Sequence, residues 1–204
     1  MNLCKIHTHT NAEQKGLGFS VFVGETEDGG YACNESADLT EEELSPSEGA
    51  YQGVEPGDTI EVHWVHTSCE ATPGEGLGAC APESCADPLL RVETQVFLVV
   101  NDPSAGDFNQ MTYDGNIVNG LHHAKSIPSS TGKPVLFRGS TTGPSYDQYN
   151  CSKARVTWNV RPQCTKLDIN SLHRWAENRN VFNEVSSHGV RQLVTAAELL
   201  APID

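Results

Sequence analysis

The sequence predicts a mainly β protein of the α+β class, with an antiparallel or mixed central sheet and a few peripheral helices. Three observations carry that reading. Six short runs rich in β-branched and aromatic residues recur along the 204 residues, and turn-forming Gly, Pro, Asn and Asp cluster between them. No long helical pattern separates those runs, as a doubly wound fold would require. The length suits one domain, residues 1–204, able to bury a core of its own.

In chain order the strand-like runs are LCKIHTHT, GFSVFVG, DTIEVHWVH, RVETQVFLVVN, KPVLFRG and ARVTWNVRP. Two helices follow late in the chain. One spans Ile169 to Asn178, introduced by Asp168 and Asn170; the other spans Thr195 to Leu200, where Thr195 and Glu198 have capping-box spacing. Residues of about 24–53 read as an acidic, solvated insertion, whose carboxylate spacing fits no EF-hand calcium loop.

Charge and cysteine content narrow the function classes. With 27 acidic against 13 basic residues the net charge is −14, and the stretch from Gly16 to Leu90 has no lysine or arginine, so nucleic acid is excluded as a partner. The longest apolar run, Val96 to Val100, is far shorter than the roughly 20 residues of a membrane helix. No basic region followed by an apolar one opens the chain, so no signal peptide is visible in it. Seven cysteines nonetheless point to an oxidising compartment, with at least one left unpaired within the chain. Cys69, Cys80 and Cys85 lie in a Gly/Pro/Ala-rich stretch that a local disulfide would hold; C-x10-C-x4-C lacks the paired spacing of a zinc knot.

The histidines carry the chemistry. His7 and His9 stand two apart in a strand, so both imidazoles project from one face and can meet one ion. His63 and His66 stand three apart and face opposite ways, so only one joins that site. Glu61 shares a face with His63 and can hold the ring nitrogen not used for metal, which selects His63 over His66. Three neutral imidazoles and an open position describe a catalytic zinc site that binds water, in which Co2+ or Cd2+ could replace Zn2+.

These residues resemble a known family. KIHTHTNAEQ is similar to the F-H-F-H-W-G…S-E-H segment of α-class carbonic anhydrases with its loop shortened, and IEVHWVHT to their E-L-H-L-V-H-W segment. FRGSTTGPSYDQYNCSKARVTWNVRP resembles Y-x-G-S-L-T-T-P-P…V-T-W-x-V, and the three motifs keep the same order. The wording of EVHWVH, GLGAC, RVETQVFLVVNDP, GSTTGPS, VTWNVRPQC and HGVRQLV looks most like the δ-class carbonic anhydrases, over most of the chain outside the acidic insertion.

The resemblance implies an α-carbonic-anhydrase-like sheet and reversible hydration of carbon dioxide to bicarbonate by zinc-bound hydroxide. It implies His7, His9 and His63 as ligands, Glu61 as the carboxylate orienting the third, Thr142 as the hydroxyl that accepts from the hydroxide, and Glu13 as acceptor of the threonine's proton. Val65, Thr141 and Trp158 match the apolar wall for carbon dioxide. The sequence departs from the pattern at Thr141, where the family has leucine, at Gly143, where it has threonine, and at Gln14, where it has histidine; the first two widen the pocket and make it more polar. Only six residues precede His7, so the family's early proton-shuttle histidine has no counterpart. His122 or His123, in the polar stretch NGLHHAKSIPSS, is the expected relay, since an imidazole titrates near the metal-bound water. The likeness to exported α-class enzymes also implies a disulfide from Cys151 to Cys4 or Cys33, and export to a periplasm, lumen or exterior.

Two other readings fit parts of the same residues. His7-x-His9 followed by Glu13 matches the first half of a cupin metal motif, found in oxygenases and isomerases, but EPGDTIEVH does not supply the second half. A carbonic-anhydrase-like binding module without activity would have lost a ligand histidine, and all three stand here.

Overall fold

The structure, a computed structural model, describes residues 1–26, 28–140 and 155–189. It is mainly β. The central sheet is built from β1 (Asn2–Thr10), β4 (Thr59–Thr67), β5 (Leu89–Val100), β8 (Val135–Ser140), β9 (Arg155–Val160), β10 (Thr165–Asp168) and β11 (His188–Gly189). Its order is β11-β1-β4-β5-β9-β8, with β10 continuing beside β5 beyond β9. Pairings β1/β4, β4/β5 and β8/β9 are antiparallel, whereas β1/β11, β5/β9 and β5/β10 are parallel, so the sheet is mixed.

Expected and observed strands largely coincide. The exception is GFSVFVG, of which only β2 (Val21–Gly24) forms a strand, paired with β3 (Gly30–Ala32) outside the central sheet and with Val21, Phe22 and Val23 exposed. A further hairpin joins β6 (Ile117–Val118) to β7 (Leu121–His122). The late helix α1 (Ile169–Glu177) begins where expected, because the Asp168 side chain accepts a hydrogen bond from the Asn170 N–H. It is the one α-helix among the described residues, and the helix expected at Thr195–Leu200 lies outside them.

Both faces of the sheet are covered, which explains why the C-terminal end of β5 is a continuous apolar run rather than an alternating one. On one face Ile6, Ile60, Val62, Trp64, Phe97 and Val99 pack with Leu172 and Trp175 of α1. On the other, Val96, Leu98 and Val100 pack with Phe19, Cys33 and Phe137, and beside them Val65, Val92 and Val156 pack with Cys4 and Cys80. The acidic stretch is not a free loop, since Cys33 and Tyr51 within it are fully buried.

Three disulfides tie the chain: Cys4–Cys80, Cys33–Cys164 and Cys69–Cys85. The last is the local bridge expected for its loop. The pairing of Cys151 with Cys4 or Cys33 is corrected: both are bonded elsewhere, Cys4 because β1 ends against the Leu77–Cys80 turn and Cys33 because it faces the Cys164 segment across the apolar layer. Cys151 itself lies outside the described residues.

Candidate metal centre

Antiparallel register between β1 and β4 sets the site. His7 stands opposite His63 and His9 opposite Glu61, so strand alternation puts all four side chains on one face of the sheet. Trp64 and His66 point the other way. Trp64 enters the core beneath α1, and His66 lines a separate cavity with Arg91 and Glu93.

The imidazoles form a tight group. The Nε2 atoms of His7 and His9 are 2.7 Å apart, and the His9 and His63 rings are 4.8 Å apart between centroids. His7 and His63 are more distant, at 6.1 Å. Glu61, buried to 2% exposure, places Oε2 3.5 Å from Nε2 of His63 and accepts the Glu13 N–H at 3.0 Å. His63 is thereby anchored through one nitrogen and left with Nδ1 for the interior of the site.

Two residues that sequence reasoning missed complete the arrangement. Glu184 lies buried beside the edge of β1, where it accepts the Thr8 N–H at 2.9 Å, pairs with Lys5 Nζ at 2.9 Å and approaches Nδ1 of His7 at 3.3 Å. It does for His7 what Glu61 does for His63. His188, on β11, stands in parallel register opposite His9, with its ring 4.5 Å from His7 and 5.1 Å from His9. No local motif marks Glu184, and although His188 opens the HGVRQLV segment, only the pairing of β1 with β11 shows that it stands beside His7 and His9.

Burial and neighbouring charge tune these groups. Burial holds His7 and His9 below the ordinary histidine range, further for His9, which has His63, His7 and His188 around it and no carboxylate partner. Burial pulls His63 down as well, but the hydrogen bond and charge of Glu61, with Glu13 and Glu184, leave it raised. Glu13 is pushed up to about 7 by burial and by neighbouring Glu61, against the pull of His63. Glu184 is held down at about 2: burial opposes the shift, but His7 and Lys5 outweigh it.

Donor chemistry fits a metal ion. Sets of three donors lying within 4.8 Å of one another are His7, His9 and His188, and His9, Glu61 and His63. His7 and His63 each have one nitrogen held by a carboxylate, the pattern of ligating histidines, and the other nitrogen of His7 is turned to His9 Nε2. The predicted trio of His7, His9 and His63 spans the two compact sets rather than coinciding with either.

Beside the imidazoles lies a cavity of about 80 Å³ lined by His7, His9, Glu13, His63, Val65, Leu77, Val92 and Trp158. That is far below the ~300–1,000 Å³ of sites for drug-sized molecules. Val65, Trp158 and Glu13, all expected at the site, are among its lining residues. Thr141 and Thr142 lie outside the described residues.

His122 and His123 do not reach the site. His122 Nδ1 is 2.6 Å from the Tyr113 hydroxyl, in the layer packed with Trp64. His123 lines the cavity of His66 and Glu93. Both residues expected as the proton relay thus lie on the Trp64 and His66 side of β4, the face opposite that of His63.

A mixed β-sheet carrying converging imidazoles beside a small cavity is a frame that could hold a metal ion. A family model for Delta carbonic anhydrase matches residues 1–171, and the chain belongs to that family. No curated protein and no solved structure matches it. Membership implies carbonic-anhydrase-like function with a metal and a small-molecule substrate. No described helix is long and apolar enough to cross a membrane, and the three disulfides are compatible with an exported protein.

Proposed function

We propose that the chain is a zinc carbonic anhydrase that interconverts carbon dioxide and bicarbonate, releasing a proton. The observation that carries the reading is the pair His7 and His63, facing each other across β1 and β4, each anchored by a buried carboxylate, with His9 between them at the mouth of an apolar cavity of about 80 Å³. His7, His9 and His63 would hold the ion, and three neutral imidazoles suit zinc, with cobalt or cadmium as substitutes. When bound, zinc supplies a Lewis acid that brings the pKa of a coordinated water to about 7, a magnitude characteristic of carbonic anhydrases as a class and not measured on this chain.

The chain's own residues do the rest. Glu61 and Glu184 fix the rings that they hold and raise their basicity. Val65, Val92 and Trp158 offer an apolar surface to carbon dioxide and keep water off it. By the family resemblance, Glu13 would orient the Thr142 hydroxyl as an acceptor, directing a nucleophile's lone pair at the substrate carbon, and Thr141 would belong to the substrate wall. With His122 and His123 on the other face, the proton leaves to water and buffer. A cupin oxygenase or isomerase is disfavoured by the open sheet, whose outer strands in the described residues are β11 and β8. We place the protein in an exported compartment, on its three disulfides.

Stopped-flow hydration by protein carrying one equivalent of zinc tests the proposal. Activity well above background is expected, and none, with the metal confirmed, would overturn it. His63→Ala should weaken metal binding severely and His66→Ala leave it intact. Thr142→Ala should keep the metal and lower turnover.

A further inference from the structure

The register of three strands arranges more imidazoles than one catalytic ion uses. Across β11, β1 and β4 one row reads His188, His9, Glu61, and in the next row His7 stands beside His63. His7 and His9 are shared. On their inner side stands His63, 7% exposed and lining the apolar cavity; on their outer side stands His188, whose side chain is 50% exposed and which does not line that cavity. The outer set is the more compact between ring centroids, with His7 and His9 4.4 Å apart, His7 and His188 4.5 Å and His9 and His188 5.1 Å, whereas His7 and His63 are 6.1 Å apart. Glu184 serves this outer set too: its Oε1 is 3.3 Å from His7 Nδ1 and 3.8 Å from His188 Nε2.

We propose that His7, His9 and His188 form an outer divalent-metal position through which the ion enters and leaves the inner one. The proposal rests on the reading of His7, His9 and His63 as the inner ligands. An ion arriving from solvent meets the exposed His188 first and gains His7 and His9 with it. It then exchanges one neutral imidazole, His188, for another, His63. Two ligands stay bound throughout and the charge of the donor set does not change, so the ion is never released to water between positions. His188 is therefore absent from the final centre, which keeps its open coordination position for substrate chemistry.

An intermediate position lowers the barrier in both directions without altering the final equilibrium, and this gives the test. Metal-free protein is mixed with Co2+ and uptake is followed by visible absorption in stopped flow; release is followed on mixing the loaded protein with excess chelator, and affinity is measured by competition. His188→Ala should slow uptake and release by the same factor, about tenfold or more, and leave both the affinity and the final cobalt spectrum unchanged. His188→Asp, which restores a donor, should recover both rates. Unchanged rates in His188→Ala, or a fall in affinity with a changed spectrum, would overturn the proposal, the first making His188 a bystander and the second a ligand of the final centre. Failure of the parent reading looks different: wild-type protein would take up no cobalt, or His63→Ala would bind it as tightly as wild type.

Discussion

Replacing Glu184 by glutamine should damage stability and metal affinity by separable routes. The carboxylate is the counter-charge of Lys5, and both side chains are only 7% exposed. The amide leaves the Lys5 ammonium buried with the Phe182 carbonyl, at 3.2 Å, as its remaining described partner. Removing one member of a buried pair costs about 3–5 kcal/mol. With a urea m-value on the order of 2–3 kcal/mol/M, the unfolding midpoint of the metal-free protein should fall by about 1–2 M. The same change weakens the anchor on His7 Nδ1, and loss of such a partner typically costs a site roughly 10–100-fold in affinity. The double variant Lys5→Met/Glu184→Gln separates the two, because it removes the uncompensated charge without restoring the anchor. Its midpoint should recover most of the loss while Co2+ affinity stays low. A double variant as unstable as Glu184→Gln would show that the Lys5 charge is not the source of the cost; a single variant with unchanged affinity would refute the role given to Glu184 at His7.

Burial drives His66 down to about 4. The unfolded chain, near 6.5, therefore binds the proton that the folded protein refuses, so stability is lost as pH falls from about 6.5 towards 4, by roughly 2–3 kcal/mol for a partly buried ring. His66→Asn should flatten the urea midpoint over that window, and an unchanged slope would refute the assignment. The Cys33–Cys164 bridge closes a separation of 131 residues and Cys69–Cys85 one of 16. Chain entropy then predicts losses of about 5 and about 3 kcal/mol for the Cys→Ser pairs, with unfolding of each variant as the check. Val65→Phe should fill the 80 Å³ cavity, keep cobalt binding and lower hydration about 100-fold; unaltered hydration would place the substrate elsewhere.

Those features whose cause is local could be read from the sequence. H-x-H on a strand fixes a shared face whatever else the chain does, and Glu61 two residues before His63 is a same-face relation of the same kind. Asp168 announces α1 because an N-cap acts on the N–H two residues on. What escaped depends on contacts between distant segments. Glu184 and His188 belong to the site because β11 lies parallel to β1, and a two-residue strand leaves no periodic signal. GFSVFVG has strand composition, yet no partner in the central sheet faces it. His122 and His123 looked mobile enough to reach over a cleft, but a hairpin and the Tyr113 hydroxyl hold them on the far side.

The position of β1 also bears on how the molecule is made. β1 sits between β4 and β11, which follow it at very different distances along the chain, so it has no completed sheet to join when it is made. It can pair on one side once β4 has appeared, but its other side waits for β11. Until then Lys5 lacks its carboxylate, and His7 and His9 lack both Glu184 and His188. A chain made from β1 onwards would thus bring His7, His9 and His63 together as soon as β4 is in place, while Glu184 and His188 join them only with β11, so that the ligands are assembled before the buried carboxylate that anchors His7 arrives.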